Sequence, residues 1–163
     1  MIVELKPSEY AMAVQLAANR EFVNKDFGVS DKQMGQDDGF KISVDGIVAE
    51  FAVCKYLNVW TDLSFDPRGG GHDLILKGKK VDVKSTKFGR TTVFLPQRKK
   101  YNDIDRYVWC YVNFRTVEIL GSFKPEEIFI DANLKQSPRA DEMHYKIDLT
   151  KITKLRRDRD GGV

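Results

Sequence analysis

Apolar residues recur at helical spacing in two stretches of the chain. From about Ser8 to Asn24, Met12 pairs with Leu16 and Ala13 with Ala17, and Pro7 suits a first helical turn. From about Val44 to Asn58, the residues Val44, Ile47, Val48, Phe51, Cys54 and Leu57 cover one broad helical face, with Ser43 as a candidate N-cap. Lys55 intrudes on that face from one side. Glu50 lies inside it, and a carboxylate among core positions is costly unless it has a partner. Glu50 therefore reads either as a boundary residue reaching solvent or a lysine, or as an acid supplied to a site. Between the two helices, Lys25 to Lys41 is polar and holds the turn signal Asp37-Asp38-Gly39, so a loop is expected.

Further along, the period changes from helix to strand. Leu74-Ile75-Leu76 and Val81-Asp82-Val83 have strand character, and Gly78-Lys79 is a suitable two-residue turn between them. That turn would pair Lys77 with Lys80, Ile75 with Asp82 and Asp73 with Lys84. Because strand side chains alternate, Asp73, Asp82 and Lys84 would then share one face, while Leu74, Leu76, Val81 and Val83 form the apolar one. Diagonal neighbours on such a face lie roughly 7–8 Å apart at Cβ. Two carboxylates there can grip one divalent metal, and Lys84 sits beside them. The approach, Arg68-Gly-Gly-Gly-His72, permits close passage of the backbone just before the first acid.

After the hairpin, residues 91 to 95 read as a short strand and Pro96 to Tyr101 as a short helix or turn. Residues 107 to 114 form a strong strand pattern, with 116 to 123 as its hairpin mate. Pro125 opens a short helix, and 145 to 149 read as a last strand. A helix, a three-strand meander, a short helix and further strands make a mixed central β-sheet flanked by helices, an α/β class. The 163 residues read as one domain, able to bury about 70 % of the unfolded surface.

Composition narrows the picture. Hydrophobic content of 42 % and ten Phe argue for a packed core. No run approaches the length of a membrane span and no signal-peptide pattern opens the chain, so a soluble, cytoplasmic protein with no membrane partner is expected. Cys54 follows Val53 on the apolar helix face and Cys110 lies between Trp109 and Tyr111, and both read as buried free thiols.

Charge is concentrated. Lys77 to Lys100 holds nine basic residues and one acid, a net +8 in a chain of +3, which leaves −5 elsewhere. That run surrounds the two aspartates and suggests an anionic polymer as ligand. A second basic cluster marks the tail, residues 151 to 163. No phosphate-loop motif follows the glycines, and His72 and His144 lack companions at zinc-ligand spacing.

The combination of Gly46-Ile-Val-Ala-Glu50 on a helix, Asp73 opening a strand and Asp82-Val83-Lys84 on the next resembles the PD-(D/E)XK nuclease superfamily. The resembling region spans about residues 43 to 114. The N-terminal helix and C-terminal strands would be additions to a restriction-endonuclease-like αβββαβ core. The resemblance implies Mg²⁺, with Mn²⁺ able to substitute, on Asp73, Asp82, the Val83 carbonyl and Glu50. It gives Lys84 the role of orienting or activating the attacking water. Gln97 and Tyr101 match a Gln-x-x-x-Tyr element found in part of the superfamily. His72 stands where a proline is usual. Ser85, Thr86, Lys87 and Arg90 are candidate phosphate contacts, as is His72. The expected function is a metal-dependent nuclease, endonuclease before exonuclease, acting on DNA and recognising structure. Many such folds act as dimers, so a homodimer is the oligomer the resemblance suggests. The alternatives are a non-catalytic nucleic-acid-binding or accessory subunit on a retained nuclease fold, and a structural protein whose basic band meets an acidic partner.

Overall fold

Two long helices carry the N-terminal half of the chain in a computed structural model that describes residues 1–28, 39–65, 71–87, 89–101, 103–136 and 143–155. The tail beyond 155, the glycines at 69 and 70, and the turn residues 37 and 38 lie outside the described residues. Strand β1 (Ile2–Glu4) leads into helix α1 (Pro7–Asp26), whose entry is fixed by Pro7 and by the Lys6 N–H donating to Glu9 Oε2 at 2.6 Å. Ala13, Leu16 and Ala17 form its buried stripe, whereas Met12 is exposed.

Helix α2 (Gly39–Leu57) begins earlier than the sequence pattern suggests. Ser43 is not its cap; the Oγ donates back to the Gly39 carbonyl at 3.1 Å, as an interior serine does. Phe40 packs against the core, so burial carries the helix back through a stretch whose polarity reads as loop. At the other end Asn58 takes a left-handed conformation (φ 57°), with Asn58 N–H reaching the Lys55 carbonyl and Val59 N–H the Cys54 carbonyl. These two bonds close the helix in a Schellman motif. Lys55 is exposed and bonds Glu9 Oε2 at 2.7 Å, so its intrusion on the apolar face is resolved at the surface.

The sheet that receives α2 has the order β1-β6-β5-β3-β2, built from β2 (Leu74–Leu76), β3 (Lys79–Thr86), β5 (Arg106–Asn113) and β6 (Thr116–Phe123). Strands β3 and β5 run parallel, and the other pairings are antiparallel. The protein is thus a mixed α/β structure. The expected meander of three successive strands in one sheet is not formed. A parallel neighbour needs a long crossover, and β4 (Thr92–Pro96) with the 3-10 turn Gln97–Tyr101 supplies it. Strand β4 pairs instead with β8 (Met143–Asp148), which also pairs with β7 (Leu134–Gln136), making a second, three-stranded sheet.

The two long helices flank one face of the main sheet. Val108, Cys110, Val112, Val117 and Ile119 pack beneath α1 and α2. On the far face, Tyr107, Trp109 and Phe123 meet Val93, Leu95, Tyr145 and Ile147 of the second sheet, with Ile128 from the short helix α3 (Pro125–Ile128). The alternation of β5 explains both cores, since odd residues face one layer and even residues the other. Cys54 and Cys110 are buried free thiols, as expected.

Candidate active site

The β2–β3 hairpin sets the geometry, and its turn falls one residue earlier than expected, which moves every cross-strand pairing by two residues. The turn is Lys77-Gly78, with φ of 53° and 74°, and not Gly78-Lys79. Two consecutive left-handed residues with glycine second define a type I′ turn, whose twist matches the strands. Leu76 consequently pairs with Lys79, Ile75 with Lys80 and Leu74 with Val81. Asp73 is brought beside Asp82 and Val83 rather than opposite Lys84. Its N–H donates to the Val81 carbonyl at 2.9 Å, and its Oδ2 accepts from the Val83 N–H at 2.5 Å. Since β2 starts at Leu74, the stretch of β3 beyond Val81 has no β2 partner, and Val83, Lys84 and Ser85 of that stretch border a cleft.

The cleft has a volume of about 420 Å³ and is bordered by Arg20, Glu50, Asp73, Val83, Lys84 and Ser85 among others. Glu50, on α2 one turn after Gly46, is buried and ion-paired to Arg20 at 3.0 Å. Burial, reinforced by the charge of Asp73, pushes its carboxyl up to about 8 against the pull of Arg20 and Lys84. Asp73 is raised by burial as well; Lys84 opposes this, Asp82 adds to it, and the Val83 hydrogen bond and Arg20 oppose it further. Lys84 ion-pairs with Asp82 and donates to the Val83 carbonyl at 3.3 Å. Burial is the largest single influence on Lys84 and pulls it down. Asp82, Asp73 and Glu50 together outweigh that pull and hold its ammonium above the ordinary lysine range.

Asp82 is the most enclosed member, at 4 % exposure. Its Oδ2 receives no aligned hydrogen bond among the described residues although Lys84 is its ionic partner. The oxygens of Glu50, Asp73, Asp82 and the Val83 carbonyl are the ligand type a hard divalent cation takes. Among the described residues no three His, Cys, Asp or Glu side chains are gathered as a ligand cluster, and Arg20, Lys84 and the Val83 N–H are the partners of Glu50, Asp82 and Asp73.

The remaining candidates are more scattered. Ser85 borders the cleft, whereas His72, Thr86, Lys87, Arg90 and Gln97 do not, and the side chain of Tyr101 lies outside the described residues. Arg90 ion-pairs with Glu118 at 2.8 Å and lies over the Tyr111 ring at 4.4 Å. Gln97 and Tyr101 bound the 3-10 turn whose middle residue, Lys99, is lowered by burial and by the positive charge of Lys84. Of the basic run, Lys80 is spent on Asp103.

Two site residues escape the sequence reading. Arg20 continues the Ala13-Leu16-Ala17 stripe of α1 by one more step, and a buried glutamate on the facing helix is a signal that a cation must meet it. Lys99 lies near enough to Lys84, Asp82 and Asp73 to feel their charges, a long-range placement that no local pattern carries. Comparison with models of known protein families, with curated proteins and with solved structures gives no match.

Proposed function

We propose that the protein is a divalent-metal-dependent nuclease that hydrolyses phosphodiester bonds, with DNA the favoured substrate and internal cleavage favoured over attack from an end. One observation carries the reading: Glu50 from α2, Asp73 ahead of β2, and Asp82 and Lys84 from β3 lie close enough to act on one another's charge. The resemblance of these residues to the PD-(D/E)XK pattern supports it.

In this reading Asp73, Asp82, the Val83 carbonyl and Glu50 hold Mg²⁺, or Mn²⁺ in its place. When bound, such an ion supplies Lewis acidity toward the phosphate and lowers the pKa of a coordinated water. The chain's own residues do the rest. Lys84, protonated beside its carboxylates, orients the attacking water by hydrogen bonding and offsets charge developing on the phosphate oxygens. It does not act as a base while its acidic neighbours remain uncompensated. The Asp73–Val83 hydrogen bond ties Asp73, ahead of β2, to the stretch of β3 that carries Asp82. Ser85 lies where a phosphate entering the cleft would pass, and the basic run from Lys77 to Lys100 supplies attraction for the backbone.

The internal pairing of every acid favours a second reading, a nucleic-acid-binding or accessory subunit that does not cleave. One assay separates the two. Purified protein is incubated with linear, nicked, branched and single-stranded DNA and with RNA, in Mg²⁺, Mn²⁺ or EDTA, alongside Asp82→Ala and Lys84→Ala. Metal-dependent cleavage lost in both variants supports the nuclease. Salt-sensitive binding without cleavage, unchanged in Asp82→Ala, supports the binding subunit and overturns the nuclease.

A further inference from the structure

Arg20 uses three nitrogens on three different acceptors. Nη1 donates to Glu50 Oε2 at 3.0 Å, Nε to the Ser64 carbonyl at 3.0 Å and Nη2 to the Asp62 carbonyl at 3.2 Å. The two carbonyls are presented by a turn that is itself fixed. Asp62 Oδ1 accepts from the Ser64 N–H at 2.9 Å, and Asp62 Oδ2 from the Ser64 hydroxyl at 3.0 Å. A planar guanidinium bound by two backbone acceptors cannot swing, so its remaining direction is set. That direction is the buried Glu50 carboxylate. The contact is made to Oε2, so the second oxygen is not spent on Arg20.

We propose that Arg20 is a positioning residue for the cation site: the turn at Asp62–Ser64 aims Arg20, and Arg20 aims Glu50 at the cleft it shares with Asp73 and Lys84. The inference rests on the reading of the cleft as a divalent-cation site and deepens it by naming the support of one of its acids. Residues that orient a metal ligand typically alter metal affinity 10–100-fold when removed. Lysine cannot replace arginine here, because one ammonium cannot span a carboxylate and two carbonyls in a fixed plane.

The test is Mn²⁺ binding to the full chain by titration calorimetry, with cleavage measured in parallel, for wild type, Arg20→Ala, Arg20→Lys, Asp62→Ala, Glu50→Gln and the Arg20→Ala/Glu50→Gln double variant. Far-UV circular dichroism and a cooperative melt establish that each is folded. The expected result is a Mn²⁺ affinity about tenfold lower in Arg20→Ala, little recovery in Arg20→Lys, and a smaller loss in Asp62→Ala. In the Glu50→Gln background, Arg20→Ala should cost nothing further, because Arg20 acts through Glu50. Fully additive losses, or a folded Arg20→Ala with wild-type affinity, would overturn the positioning role while leaving the cation site standing. Wild type that neither binds Mn²⁺ nor cleaves would overturn the cation site, and the positioning role with it.

Discussion

Asp73 Oδ2 accepts a 2.5 Å hydrogen bond from the Val83 N–H, so a side chain ahead of β2 continues the ladder that β2 itself does not reach. The carboxylate is both a structural acceptor and a buried charge, and the two roles can be separated. Asp73→Asn keeps an oxygen for the Val83 N–H but removes the charge that burial and Asp82 make unfavourable. We expect it to melt at or slightly above the wild-type temperature while cleavage falls by about 10² or more, since a charged ligand to the cation is lost. Asp73→Ala also strands the Val83 N–H and should be destabilised by about 1–3 kcal/mol. An asparagine variant that cleaves at the wild-type rate would remove Asp73 from the site.

The raised carboxyl of Glu50 gives stability a definite pH dependence. Its folded value, about 8, stands above its ordinary 4.5, so the folded state holds the proton more tightly. The associated stability is fully present below pH 4.5 and is lost as pH rises through 8. In EDTA, Glu50→Gln and wild type should melt alike near pH 5, and the glutamine variant should be the more stable by pH 9. Each pH unit in that window is worth about 1.4 kcal/mol per proton. A melting difference independent of pH would show that Glu50 is not held protonated by its surroundings.

The hairpin register can be tested at its turn. Lys77 occupies a left-handed conformation that costs a lysine more than it costs asparagine. Lys77→Asn should therefore stabilise the protein by a few tenths to about 1 kcal/mol. If the turn were instead Gly78-Lys79, Lys77 would sit in a strand and the substitution would be destabilising. Urea titration distinguishes the two.

At Gly121, φ is 152° and an added Cβ would lie 2.4 Å from the Thr153 carbonyl oxygen. That backbone is bonded to Ser122 in both directions, at 2.8 and 3.2 Å, and cannot retreat without breaking the bridge. Gly121→Ala should cost about 1–3 kcal/mol, a fall of roughly 3–10 °C in melting temperature for a chain of this size. A wild-type melt would mean that residues 152 and 153 do not rest on β6.

The sequence was most informative where function and local pattern coincide. The alternation of β3 places Asp82 and Lys84 on the same strand face, and that conclusion is unaffected by the register because both residues lie on one strand. The hairpin of residues 116 to 123 with its predecessor follows directly from two long β-branched and aromatic runs. Glu50 was visible as an anomaly on an apolar helix face. Local pattern fails where partners are distant. Thr92–Pro96 reads as a strand, but nothing nearby reveals that its mate is residues 143 to 148 and not β3. The short strands β1 and β7 are too brief to show a period. Ser43 resembles a cap because its residue type favours one, yet the helix is set by the burial of Phe40 before it.

Strand β1 completes the edge of the main sheet by pairing with β6, and the Met1 ammonium donates to the Ile119 carbonyl 118 positions away in the chain. Closing so long a loop is entropically slow. On a ribosome, which delivers the N-terminus first, Ile2–Glu4 waits without its partner until residues beyond Thr116 have emerged. The helix that bears Arg20 follows that strand by only two residues, so the pairing of β1 ties the Glu50 clamp to the far edge of the sheet.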